Sequence, residues 1–181
     1  MQNLKSIDPA GASGKTKQIF DFFQKNLGTI PNLARVIANS PAALGAYAGF
    51  SGALAEGKLS AQLREQIAIA VASTNACDYC LSAHTVLGAH AGLDTKELEL
   101  ARDAVSSNEK ATGALRFAQL VVRDRGHIPA SEIDALRAAG YGDGEIVEII
   151  AAVALNIFTN YLNHIAGTEI DFPVVHSTAA R

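Results

Sequence analysis

No stretch of this chain sustains the apolar–polar alternation of a half-buried strand, whereas apolar residues recur at spacings of three and four along its length. Ile19, Phe20, Phe23 and Leu27 set that rhythm in a helix from Lys15 to Leu27, which Gly28 and Pro31 end. Asn32 to Asn39 reads as a short helix. Ser40 before Pro41 is a helix start, because the serine can cap and the proline lacks only an N–H that the first turn leaves free. That helix runs to about Glu56. Ser60 caps the next, which turns Leu63, Ile67, Ala70 and Val71 inward and reaches about Thr74, where Asn75 interrupts it. A further helix carries Cys80 and His84 and stops at Gly92. Asp94-Thr95-Lys96-Glu97 reads as a capping box for a helix to about Val105. Helices over 111–123, 131–139 and 145 to about 165 complete an all-α bundle.

A chain of 181 residues, 49% of them hydrophobic, supports one core, so a single domain over 1–181 is expected. Residues 1–14 form a polar tail and 166–181 an extended one. Abundant alanine and the lack of Trp favour closely packed helices. A net charge of −3 without a basic block points away from nucleic acid and anionic membranes. The apolar run Ile149 to Asn163 is too short and too interrupted to span a bilayer, and suits a core or subunit interface. Gly14-Lys15-Thr16 imitates the end of a phosphate loop, but Pro9 stands at the required upstream glycine. The first residues lack a signal-peptide apolar core, so a cytoplasmic protein is expected.

In that compartment a close cysteine pair is more often catalytic or metal-binding than structural. The chain's two cysteines, Cys77 and Cys80, stand two residues apart, and His84 follows Cys80 by one helical turn. A thiol becomes reactive as its thiolate, which a helix N-terminus and a nearby cation favour. A helix beginning between Asn75 and Asp78 puts Cys80 in its first turn. His84 can then accept the Cys80 proton. Glu65, a carboxylate in an apolar segment, needs a partner; side-by-side helices would let it orient His84. Cys77 would resolve the oxidised Cys80 to a disulfide, which an external dithiol reduces.

Two other readings of these residues stay open. Cys77, Cys80, His84 and Glu65 could complete a zinc site, although structural zinc usually draws on a second close-spaced pair. The cysteines could also be inert and buried. His164, with Asn160 and Asn163, falls on the polar side of the last helix, either at the mouth of the site or as an ordinary helix-terminal histidine. His90 suits the end of its helix; His127 and His176 suggest no role. One internal echo relates Leu63-Arg64-Glu65-Gln66-Ile67-Ala68 to Ile146-Val147-Glu148-Ile149-Ile150-Ala151. It suggests two similar helical hairpins packed together, with Cys77 and Cys80 opposite Asn160 and Asn163.

Glu65, eleven residues, Cys77, two residues, Cys80, three residues, His84 resembles the core motif of the AhpD-like alkylhydroperoxidases. These belong to the carboxymuconolactone decarboxylase superfamily. Leu27-Gly28-Thr29-Ile30-Pro31-Asn32, the Asn160–Asn163 region and the Thr168 to Pro173 tail are similar to its peroxidase-related branch. The resemblance implies an AhpD-like helical bundle with Cys80 attacking a hydroperoxide, Cys77 resolving, and Glu65 with His84 relaying protons. It implies a lipoyl- or thioredoxin-like dithiol reductant, a trimer or hexamer, and no metal or bound cofactor. The chain departs from AhpD at Tyr79, where a second histidine is usual. A redox-sensing or disulfide-exchange protein of the same fold is the alternative. The decarboxylase branch lacks the cysteine pair, so lactone decarboxylation is not expected.

Overall fold

The computed structural model describes residues 2–178; Met1 and 179–181, the extremes of the two expected tails, lie outside the described residues. Among the described residues there is no strand. A 3-10 turn at Pro9–Gly11 precedes α1 (Gly14–Leu27), α2 (Asn32–Ile37), α3 (Pro41–Ala55), α4 (Ala61–Thr74) and α5 (Asp78–His90). Then come α6 (Thr95–Arg102), α7 (Glu109–Arg123), α8 (Ala130–Ala138) and α9 (Asp143–Ala166). The all-α expectation therefore holds.

Polar side chains start the helices where the sequence places them. Ser40 Oγ accepts from Ala43 N–H at 3.2 Å, and Ser60 Oγ from Leu63 N–H at 3.1 Å. Asp94 Oδ1 accepts from Glu97 N–H at 2.8 Å, but Glu97 spends its own carboxylate elsewhere. It accepts from Ser106 Oγ at 2.6 Å, Ser107 N–H at 2.8 Å and Gln66 Nε2 at 2.9 Å. The expected capping box is thus half made, because the loop after α6 offers Glu97 more donors than the helix start does.

The expected inward stripe on α4 understates its burial. Every residue from Gln66 to Ser73 is buried, and α5, α6, α7 and α9 all contact the helix. A helix that is apolar all round belongs at the centre, and Ala68, Ala70 and Ala72 let its neighbours approach closely. Ile67, Ile69, Val71, Leu81, Leu115 and Ile149 fill the space between them. Each such side chain contributes roughly 1.5–3 kcal/mol by leaving water.

The last helix reverses the ordinary arrangement in its second half. Asn156, Thr159, Asn160 and Asn163 are buried, while Phe158, Tyr161 and Ile165 are exposed. The polar side that carries Asn160 and Asn163 is therefore the inner one. At 24 residues α9 also outruns the apolar run seen in the sequence, and by length and composition alone it could cross a membrane. Here its inner face is taken up by α3, α4, α5 and α7. The internal echo falls on α4–α5 and on α9, which continues unbroken where the first pair turns at Asn75.

Both tails are held. Asn3 donates from its backbone to Ala166 O at 2.7 Å and from Nδ2 to Ile165 O at 2.8 Å, covering the carbonyl end of α9. The C-terminal segment straps α5. Val175 N–H donates to Ser82 Oγ at 2.9 Å, Ser177 N–H to Asp78 Oδ1 at 2.9 Å and Ser177 Oγ to Ser73 O at 3.1 Å.

Candidate active site

The turn between α4 and α5 builds the thiol site. Asn75 ends α4, and Ala76 takes a left-handed φ of 52° that side chains rarely adopt. That reversal makes Cys77 the N-cap of α5, its Sγ accepting from Cys80 N–H at 3.4 Å. Cys80 then lies in the first turn, near the positive end of the helix dipole. Both thiols are free and buried.

The close packing of α4 on α5 brings Glu65 to His84. Glu65 Oε2 lies 2.7 Å from His84 Nδ1, so the carboxylate fixes the ring and supports its charged form. Burial works to lower the His84 pKa, but the charge and hydrogen bond of Glu65, and then the charge of Cys80, raise it above its usual value. Gly88, one turn beyond His84, leaves room for α6 and the loop before it: a Cβ there would come within 2.7 Å of Leu98 Cδ2 and 3.2 Å of Leu93 Cδ1.

Cys80 is surrounded by groups that favour its thiolate. Burial alone would raise its pKa. The hydrogen bond with the Cys77 side chain, the charge of His84 and the amides of Asn163 and Asn160 outweigh burial and bring it down to about 6. Asn163 Nδ2 donates to Cys80 Sγ at 3.1 Å, and Thr159 Oγ1 lies 4.0 Å away. Cys77 moves the other way. Its hydrogen bond to Cys80, burial and the Cys80 charge push its pKa strongly upward, and its Sγ lies 4.0 Å from Asn160 O. The surroundings thus favour the thiolate at Cys80 and the thiol at Cys77.

Two openings approach this pair. A cavity of about 90 Å³ is bordered by Tyr47, Glu65, His84, Leu155 and Thr159. The Tyr47 phenol is pushed up to about 12 by burial and then by the charges of Cys80 and Glu65, so it remains a hydrogen-bond donor there. On the other side a cleft of about 230 Å³ is bordered by Cys77, Asn163, His164 and Thr168. A larger groove of about 620 Å³ around Lys58, Glu97 and Tyr141 includes none of the four residues singled out in the sequence.

The structure therefore brings Cys80, Cys77, His84 and Glu65 together. Among the described residues, no group of three or more His, Cys, Asp or Glu side chains is placed to hold a metal ion. Tyr79 is a structural clamp: its hydroxyl donates to Asp171 Oδ1 at 2.8 Å and accepts from Leu33 N–H at 3.0 Å, and Phe172 meets its ring edge-on. Burial first, then the Asp171 carboxylate, raises its pKa strongly, which removes it as a base. His164 is exposed, its Nε2 3.0 Å from Asn75 O, at the rim of the Cys77 cleft. His176, given no role by the sequence, lies 2.9 Å from Asp78. The sequence reading passed over Tyr47 and Thr159 and left Asn163 among undecided neighbours of His164. For Asn163 the signal was the internal echo, which sets it opposite Cys80.

The carboxymuconolactone decarboxylase family matches residues 41–120, a span that includes all four site residues. No curated protein matches the chain. Among solved structures, an uncharacterised peroxidase-related protein from Ralstonia eutropha JMP134, described as an alkylhydroperoxidase AhpD core, superposes with a TM-score of 0.87 at 21% identity. The match covers 94% of this chain and 92% of that one. A peroxidase-related protein from Silicibacter sp. TM1040 gives 0.79 at 24% identity over 93% and 94% of the two chains. The debrominase Bmp8, in complex with 2,3,4-tribromopyrrole, gives 0.81 at 22% identity over 93% and 91%. At these identities the likeness is one of fold, and it agrees with the family match at the cysteine helix. Residues 41–120 thus match the carboxymuconolactone decarboxylase family, and the chain has the all-α fold of AhpD-like proteins.

Proposed function

We propose that the protein is a thiol-dependent hydroperoxide reductase in which Cys80 attacks the peroxide and Cys77 resolves the product. One observation carries the reading: Cys80 Sγ accepts from the Asn163 amide at 3.1 Å while the charge of His84, itself held by Glu65, favours its thiolate. A thiolate in a water-poor site with a charged imidazole beside it is equipped to cleave an O–O bond. The thiolate takes the nearer peroxide oxygen, forming Cys80 sulfenic acid and expelling alkoxide. The His84 imidazolium protonates the alkoxide. Cys77 then attacks the sulfenic sulfur, releasing water and closing the disulfide. An external dithiol restores both sulfurs.

The cavity beside His84 supports a small organic hydroperoxide, since Leu33, Leu54 and Leu155 border it together with the Tyr47 hydroxyl. Replacing Cys80 by Ser should abolish dithiol-dependent peroxide consumption, and Cys77→Ser should leave a sulfenic acid that dimedone traps. Full activity in Cys80→Ser sinks the reading.

We place this activity in the cytoplasm, in a homo-oligomer, a trimer or hexamer by the resemblance. Support for association comes from α3, which carries no charged residue and buries only Leu44, and from the exposed apolar side chains of α9 beside it. A disulfide-exchange role with little peroxidase activity is the second reading. It is favoured by the position of Cys77, a buried residue that borders the 230 Å³ cleft, whereas Cys80 does not. Peroxide consumption measured with dihydrolipoamide or thioredoxin as reductant separates the two.

A further inference from the structure

Of the two cysteines, one borders an opening and the other borders neither. Cys77 borders the 230 Å³ cleft, and Cys80 borders neither that cleft nor the cavity of Tyr47, Glu65 and His84. Resting on the peroxidase reading of the site, we infer that the cleft beside Cys77 is the docking site of the dithiol electron donor. The donor enters there, apart from the peroxide, and attacks Cys77 Sγ of the disulfide.

The chemistry favours that direction. When a donor thiolate bonds to Cys77 Sγ, the Cys77–Cys80 bond breaks and its electron pair leaves on Cys80. A disulfide opens fastest toward the sulfur whose thiolate is best stabilised. Asn163 and His84 are arranged to receive that charge at Cys80, whereas burial and the partner sulfur oppose it at Cys77. The second thiol of the donor, deprotonated, then attacks the donor sulfur of the mixed disulfide. The electron pair of that bond leaves on Cys77, which takes up one proton; the other donor proton goes to solvent. The donor ends as a disulfide, and the protein recovers Cys80 thiolate and Cys77 thiol.

The wall of the cleft also carries an unmet demand for hydrogen bonds. Asn163 and Thr168 border it, both more than nine-tenths buried. Among the described residues, Asn163 Oδ1 and Thr168 Oγ1 find no partner. Buried polar atoms are seldom left so. The donor class that fits is a dithiol with an amide or hydroxyl near its sulfurs, because such a molecule can satisfy both atoms as it reaches Cys77.

The test separates the half-reactions. The full chain is oxidised with diamide, so reduction can be followed whether or not peroxide is the natural oxidant. The disulfide is then opened with glutathione, a single thiol, and quenched with N-ethylmaleimide for peptide mass mapping. Glutathione on Cys77 with the alkyl group on Cys80 is the expected outcome; the reverse placement overturns the inference. In a second experiment, Ile170→Trp fills the cleft and should slow reduction by dihydrolipoamide about tenfold, leaving oxidation by peroxide within about twofold. Ser51→Trp, in the opposite cavity, should do the reverse. Wild-type reduction rates in Ile170→Trp overturn the docking site. Failure of wild-type protein to react with any peroxide counts against the peroxidase reading alone, because the adduct map still judges where a thiol attacks.

Discussion

At the scale of single residues, the site is a division of charge between two like groups. The same hydrogen bond that lowers Cys80 raises Cys77, so only one sulfur ionises near neutrality. Alkylation by iodoacetamide should therefore rise with pH through a midpoint near 6 and level off above it, because the thiol below that point is unreactive. Glu65→Gln removes the charge that keeps His84 protonated. His84 then loses its proton at lower pH, Cys80 loses a cation, and the alkylation midpoint should move upward. Asn163→Leu should move it the same way by removing the amide donor; a midpoint unchanged in both variants would sink this account. Cys80, Cys77, His84 and Glu65 were legible in the sequence because rare chemical types stood at helical spacing. Asn163 was legible only through the internal echo that sets it opposite Cys80, since the contact spans 83 positions and an asparagine by itself marks no thiol site.

At the scale of elements, the site depends on a turn that local rules disfavour. Ala76 occupies left-handed space in which a side chain costs roughly 1–2 kcal/mol. Ala76→Gly should raise stability by about 0.5–1 kcal/mol in urea unfolding, and it should leave peroxide turnover equal or lower as the cap on α5 loosens. A loss of stability would show that the turn is not strained. The loop from α3 into α4 is held by Glu148, whose Oε2 accepts from Lys58 N–H at 2.8 Å and Leu59 N–H at 3.1 Å. Glu148→Ala should cost about 1–2 kcal/mol in the same measurement. Helix identities and caps were readable because they are short-range. The enclosure of α4 and the reversed faces of α9 were not, because burial is decided by partners distant in sequence. In α9 the polar positions look outward to any periodicity rule, yet the buried thiols need amides and hydroxyls from within.

At the scale of the whole molecule, the uncharged surface of α3 and the outer apolar row of α9 predict self-association. Light scattering after gel filtration should give a multiple of the 18.9 kDa chain. Phe158→Asp, which sets a charge on that surface without touching the thiol site, should shift the mass toward the monomer. A monomeric wild-type protein at micromolar concentration would remove the interface from the proposal. The groove around Lys58 and Glu97 stays outside this scheme, its Glu97 carboxylate already accepting from Gln66, Ser106 and Ser107.

The strap across α5 has a practical consequence. Val175 and Ser177 splint the first turn of the helix that presents both sulfurs, through Ser82 and Asp78. A peptidase nibbling from the carboxyl end would therefore loosen the redox helix before it reached the hydrophobic interior, and a bulky fusion joined close behind Ser177 would tug on the same turn. Affinity handles for assays of this protein belong at its amino end.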